Sequence, residues 1–326
     1  MRKKIGLKKR WNFLKEGDSV DIIAPGFLST SNEIQLAVEF IKSWNLVPHV
    51  FEHVSGDHFL HSNTDADRFK DLKKALFHSK SKVIWCLRGG YGSVRLLPYL
   101  QKIKKPPQQV KLLIGISDIS SLHIYLNQKW KWPSLHASLL DRLGQGKVPL
   151  DIQNQLRDLL FGKIQKVEIG GLKPMNTKAQ KVKTLSGSIV GGNLTVLQSS
   201  LGTPFQVDLK KKFLFIEDLG ERGYRVDRML EHFRQAGIFK ECLGLLVGEF
   251  QGGNEPQTES SKVLQVLERF AADNFIPVWI GVPAGHGVNQ WPLFFQTEAK
   301  IRVQDPKSLS STFSLEIQSF GENQLK

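Results

Sequence analysis

Short apolar runs alternate with longer segments in which apolar residues recur every three or four positions through the first half of the chain. The runs predict buried strands and the spaced segments predict amphipathic helices. SVDIIA (Ser19–Ala24) stops at the breaker Pro25-Gly26. Ile34, Leu36, Ala37, Phe40 and Ile41 then share one face of a helix over Ser29–Trp44, with Thr30 or Ser31 as its cap. Val47–Phe51 predicts a second strand and Lys82–Leu87 a third. Between them Phe69, Leu72, Ala75 and Leu76 mark one face of a helix over Asp65–His78. A helix near Val94–Leu100 and a strand over Val110–Gly115 follow, and that strand runs into Ser117 and a further helix, with Asp118 and Ser120 as start residues. The β-α repeat calls for a parallel sheet covered by helices, in which ligands bind beyond the carboxyl ends of the strands.

The pattern changes after a short helix over Asp151–Phe161. Residues 166–186 are Lys-rich, alternate Val and Ile with polar residues, and contain the turn GGLKP, which predicts a linker with edge strands. Beyond them GSIVGGNLTVLQSSLGTPF (Gly187–Phe205) sets two glycines before a helix that opens at Asn193. Strands follow at Lys212–Ile216, Gly244–Gly248, Pro277–Val282, Glu298–Val303 and Phe313–Ile317, and helices at Tyr224–Ala236 and Ser260–Phe270, with a frayed tail from Gln318. The expected organisation is an α/β domain over 1–165, the connecting stretch 166–186, and a mixed β/α domain over 187–326.

At 326 residues and 40% hydrophobic content the chain can bury a large core without disulfides or structural metals. Its two cysteines, Cys86 and Cys242, lie in apolar runs and read as buried free thiols. There is no HExxH and no CxxC, and the loop histidines His53, His58 and His61 lack a carboxylate or cysteine at ligand spacing. No metal and no cofactor is therefore expected. The formal charge is +14, and six of the first ten residues are Arg or Lys. Elsewhere the lysines are scattered (KSK, KDLKK, QKIKK, LKKK) and form no aromatic-interleaved stripe, so they read as a solvated surface. A non-catalytic anion- or nucleic-acid-binding protein is the rival from another class, and it predicts salt-sensitive binding. MRKKIGLKKRW leads into NFLKEGDSV, not into an apolar stretch, and no run reaches the roughly 18 apolar residues of a span. A cytoplasmic protein without a membrane span is expected.

Chemistry collects at the strand ends. Ser117, in GISDI, sits at a strand-to-helix turn that projects a hydroxyl, although the closing Gly of G-x-S-x-G is missing. Glu217 and Asp218 follow the run KFLFI, and His286 lies between Gly285 and Gly287 after PVWIGV. A serine needs a general base within reach, and that base needs an acceptor to orient it. Glu217 can hold His286, with Asp218 and Glu221 as rival carboxylates. The N–H of Asp118 and one from the Gly89-Gly90 turn of RGGYG, that of Gly90, can form an oxyanion hole. Arg88 and Asn193 are candidates for holding a substrate carboxylate.

The ordered set RGGYG, LIGISDISSLH, GGNLTVLQSSLGTP, LFIEDLGERGYRVDRML and GVPAGHG resembles the LD-carboxypeptidases, a serine peptidase family that includes the microcin-C immunity peptidases. The match runs from about Gly17 to Lys300. The resemblance implies a Rossmann-like N-terminal domain, a C-terminal domain of strands and helices, no metal, and a homodimer. It also implies a triad at the domain junction, with Ser117 as nucleophile, Glu217 as carboxylate and His286 as base. The activity it implies is hydrolysis of the amide between an L-configured centre, usually meso-diaminopimelate, and the terminal D-Ala of murein tetrapeptides, a cytoplasmic step of cell-wall recycling. The microcin branch implies other peptide or acyl-amino-acid amides instead. Three stretches depart from the family pattern: APGF after the first strand, LHASLL (Leu135–Leu140), and WPLFF (Trp291–Phe295), whose bulky Trp291, Phe294 and Phe295 reshape the pocket, or else are core or dimer contacts.

Overall fold

The computed structural model describes residues 9–256, 260–304 and 311–322. Most of the basic N-terminal segment and the end of the tail lie outside the described residues. Five parallel strands build the first layer: β1 (Ser19–Ile23), β2 (Val47–Val50), β3 (Ser81–Cys86), β4 (Leu112–Gly115) and β5 (Ser134–His136), in the order β5-β4-β3-β1-β2. Every residue of β3 is buried, because helices cover both faces of its sheet. Helix α1 (Ser31–Ser43) starts at a capping box, in which Thr30 Oγ1 accepts from the Glu33 amide and the Glu33 carboxylate accepts from the Thr30 amide. Helix α2 (Asp65–Phe77) is capped by Thr64, whose Oγ1 accepts from the Asp67 amide.

The C-terminal half closes on itself. Strands β6 (Lys166–Pro174), β7 (Thr184–Asn193), β8 (Lys212–Leu219), β9 (Gly244–Gln251), β10 (Val278–Ile280), β11 (Glu298–Val303) and β12 (Phe313–Gln318) form a barrel in the order β9-β10-β6-β12-β11-β7-β8. β7-β8, β8-β9 and β9-β10 pair in parallel and the other neighbours pair antiparallel. β6 and β7 are thus not edge strands: each is paired on both sides. Their Lys-rich alternation is the signature of a strand with one face in a barrel, since Val167, Ile169 and Leu172 point inward between exposed neighbours. The same alternation divides β8: Phe213 and Phe215 join the main core, while Leu214 and Ile216 pack outward with Val226, Leu230 and Phe233. The tail is ordered further than expected, because Gly321–Glu322 pairs with Trp11–Asn12.

One connection locks the halves together. After the His286 loop, Leu293–Phe295 returns to the first sheet and pairs antiparallel with β5. Phe294 and Phe295 are fully buried there and fill the core, while Trp291 is half-buried and packs against it. Among the described residues no helix is long and apolar enough to cross a membrane.

Candidate functional site

The carboxyl ends of β1, β3 and β4 face the carboxyl ends of β7 and β8 across a cavity of about 600 Å³. Ser117, His286, Gly90, Arg88, Asn193 and Arg142 are among the residues that line it. Ser117 has a φ of +66°, the left-handed region that non-glycine residues avoid at a cost of roughly 1–3 kcal/mol. A three-residue 3₁₀ turn, Ser117–Ile119, separates β4 from helix α3 (Ser120–Tyr125). Gly89 makes room for the serine, because a Cβ there would lie 3.0 Å from Ser117 Cβ and 3.3 Å from its Oγ.

Asp118 and Ser120 do not cap the helix that follows. The buried Asp118 carboxylate accepts from the amides of Gly92 (3.2 Å) and Ser93 (2.8 Å), and Ser120 Oγ accepts from the Asn193 amide (2.9 Å). The glycine turn after β3 and the end of β7 supply donors that outcompete the first turn of α3. Asp118 thereby ties RGGYG to the serine turn, and Ser120 ties the serine helix to the barrel. Burial pushes the Asp118 carboxyl above its ordinary range, opposed by the bonds from Ser93 and Gly92. Among the described residues the amides of Gly90 and Asp118 donate to no other protein group.

The other wall is organised by Glu217. It is fully buried in β8, in register with Asn193 of β7. His286 Nδ1 donates to Glu217 Oε2 at 2.6 Å. Gly285, at φ +147°, lets the loop lie on the strand, since a Cβ there would sit 3.3 Å from Glu217 Cβ. The rival carboxylates are occupied elsewhere. Asp218 points to the opposite face and accepts from Asn193 Nδ2 (2.8 Å), the Thr195 amide and the Thr195 hydroxyl (2.9 Å each), while Glu221 pairs with Arg225 at 3.5 Å. Burial disfavours the His286 imidazolium, but the hydrogen bond and charge of Glu217, with Asp218 adding, outweigh it and hold the ring above its ordinary value. Burial raises the Glu217 carboxyl, opposed by the same hydrogen bond.

Arg88 and Asn193 both face the cavity, but their side chains already have partners. Arg88 Nη1 lies 3.1 Å from Glu33 Oε1, its Nε 4.0 Å from Asp141, and its guanidinium over the Phe27 ring. Asn193 caps the next helix through Oδ1 and donates its Nδ2 to Asp218.

His136 is a neighbour that sequence reasoning passed over. Its Nε2 lies 4.0 Å from Glu217 Oε1, and neither atom has a hydrogen-bond partner, although both are buried. Burial holds its pKa well below the ordinary value, so it stands beside Glu217 as a neutral ring. The LHASLL departure marked its stretch but assigned the ring no role. The loop histidines do not converge: His53 bonds Asp71 at 2.8 Å, while His58 stacks on His61. Among the described residues Asp21, His49 and His78 could together offer three ligand atoms to a metal ion. Asp21 Oδ1 already accepts from both rings at 2.9 and 2.8 Å, and Lys111 lies 3.2 Å from its other oxygen, so the group is a satisfied network.

Known proteins share this arrangement of two halves around a cleft. Residues 20–137 match the family model of the LD-carboxypeptidase N-terminal domain, and residues 186–301 that of the LD-carboxypeptidase C-terminal domain. A Rickettsia conorii protein named as a carboxypeptidase is 36% identical over 240 residues, 74% of each chain. A Bacillus subtilis protein named as a murein peptide carboxypeptidase is 30% identical over 278 residues, 84% of this chain and 85% of the other. The crystal structure of muramoyltetrapeptide carboxypeptidase from Oxalobacter formigenes superposes with a TM-score of 0.79 at 25% identity, covering 94% of this chain and 100% of that one.

Proposed function

This chain belongs to the LD-carboxypeptidase family of serine peptidases, and from that premise we propose that it removes the terminal D-Ala from murein tetrapeptides through Ser117, His286 and Glu217. The carboxypeptidase class follows from the family; the substrate and the roles of the residues are our reading. The observation that carries it is the 2.6 Å bond from His286 to the buried Glu217, on the rim of the cavity that Ser117 also lines.

The serine hydroxyl is a weak nucleophile until a base takes its proton. In this reading Ser117 Oγ attacks the carbonyl of the L-configured diaminopimelate centre while His286 Nε2 removes the hydroxyl proton. Glu217 holds the Nδ1 proton, fixes the tautomer and stabilises the imidazolium. The tetrahedral oxyanion accepts from the Gly90 and Asp118 amides, which have no competing acceptor. Collapse breaks the C–N bond, and His286 returns its proton to the departing D-Ala amine. A water deprotonated by His286 then hydrolyses the acyl-serine. A cytoplasmic location and a homodimer belong to the same proposal.

The test is a panel of tetrapeptides ending in D-Ala or L-Ala, together with acyl-amino-acid amides, followed by mass spectrometry. Loss of one residue from the D-Ala peptide only supports the reading. Intact murein peptides alongside cleaved acyl-amino-acid amides would replace the substrate and leave the triad.

A further inference from the structure

Five carboxylates (Glu33, Asp118, Asp141, Asp218 and Glu221) and three cations (Arg88, Arg142 and Lys147) line the cavity, and the carboxylates are already matched. Glu33 and Asp141 are answered by Arg88, Glu221 by Arg225, and Asp218 by the donors of Asn193 and Thr195. Arg142 is different. It sits in helix α4 (Leu140–Gly144), lines the same cavity as Ser117 and His286, and is half-buried. Its Nε is buried without a hydrogen-bond partner, and its guanidinium enters no ion pair among the described residues. Its charge is felt at His286, where it opposes protonation of the ring. Lys147 also lines the cavity but is exposed and keeps its water.

A guanidinium with no ion-pair partner, on the wall of a cavity, gains a charge-assisted pair when a ligand brings a carboxylate. The guanidinium fork matches the two oxygens of a carboxylate, which a solvated ammonium does not. Recognition of the free α-carboxylate, close to the scissile amide, confines cleavage to the last residue. We propose that Arg142 is the receptor for the terminal carboxylate of the substrate, held by the terminal N–H groups of its guanidinium, and that it selects peptides with a free C-terminus. This rests on the carboxypeptidase reading above and adds the group that makes the cleavage exo-specific. Arg88 lines the same cavity but is pinned between Glu33 and Asp141.

The test uses calorimetric titration of the S117A protein, which binds without turnover, with a murein tetrapeptide and with its C-terminal carboxamide. The free acid is expected to bind roughly 10- to 100-fold more tightly than the carboxamide, the span of one charge-assisted pair. S117A/R142Q is expected to lose that preference by weakening for the acid alone, and S117A/R142K to retain part of it. Equal affinity of S117A for acid and amide overturns the inference and leaves the murein reading standing. So does an R142Q protein that keeps the preference. Failure of S117A to bind either form overturns the murein reading and this inference with it.

Discussion

In the proposed triad, replacing Glu217 by Gln isolates the charge behind His286. The side chain keeps its size in a site with no solvent exposure, so the packing around Phe215 and Phe295 is retained. What is lost is an anion whose oxygen lies 2.6 Å from His286 Nδ1. Two unit charges with centres ~4 Å apart interact by about 4 kcal/mol at an effective dielectric of ~20. If that term stabilises the imidazolium in the transition state, its removal costs about 10³-fold in kcat/KM, at about 1.4 kcal/mol per decade. The pH profile adds an independent sign. The base works when neutral, and His286 is held above the ordinary imidazole value of 6.5 by Glu217, so the acid limb of the native profile lies above that value. In E217Q, burial and Arg142 both act to lower the ring's pKa and only Asp218 remains to raise it, so the limb moves to lower pH. The assay is D-Ala release across the pH range for the two proteins, with thermal melts to establish folding. A loss under tenfold, or an acid limb that stays or moves up, refutes the assignment of Glu217 as partner of the base.

Two substitutions in the serine wall test its construction. Gly89→Ala places a Cβ against Ser117 and is expected to displace the hydroxyl, lowering kcat by about 10²-fold with little change in KM; steady-state kinetics check this, and native kcat would show that the close approach is unimportant. Asp118→Ala removes the acceptor of the Gly92 and Ser93 amides and is expected to destabilise the fold by about 2–4 kcal/mol in urea titrations. A change below about 0.5 kcal/mol, the level of an ordinary surface substitution, would show that the turn holds without it.

Much of the architecture was legible because it is local. The apolar runs ending at Pro25-Gly26, Arg88 and Ser117 are strands of one parallel sheet, and all three ends reach the cavity region. The barrel was not legible. Alternation in Lys166–Pro174 says that one face is buried, but pairing partners are set by contacts far along the chain, and β6 meets β10 and β12. The return of Leu293–Phe295 to the first sheet is hidden for the same reason. Within the site, Glu217 could not be separated from Asp218 by composition. The strand's two-residue period does it, turning one carboxylate to His286 and the next to Thr195. Arg88 looked free because its partners Glu33 and Asp141 lie 55 and 53 positions away. Arg142, whose role is proposed above, lies inside an ordinary helical pattern that gives it no distinguishing signal.

The most direct measurement incubates the native protein and Ser117→Ala with a murein tetrapeptide and follows free D-Ala by mass spectrometry. The account predicts one D-Ala and the tripeptide from the native protein, and a rate lower by at least about 10³-fold from the folded variant. Equal release by both would remove Ser117 as the nucleophile, and no release by the folded native protein would contradict the murein assignment.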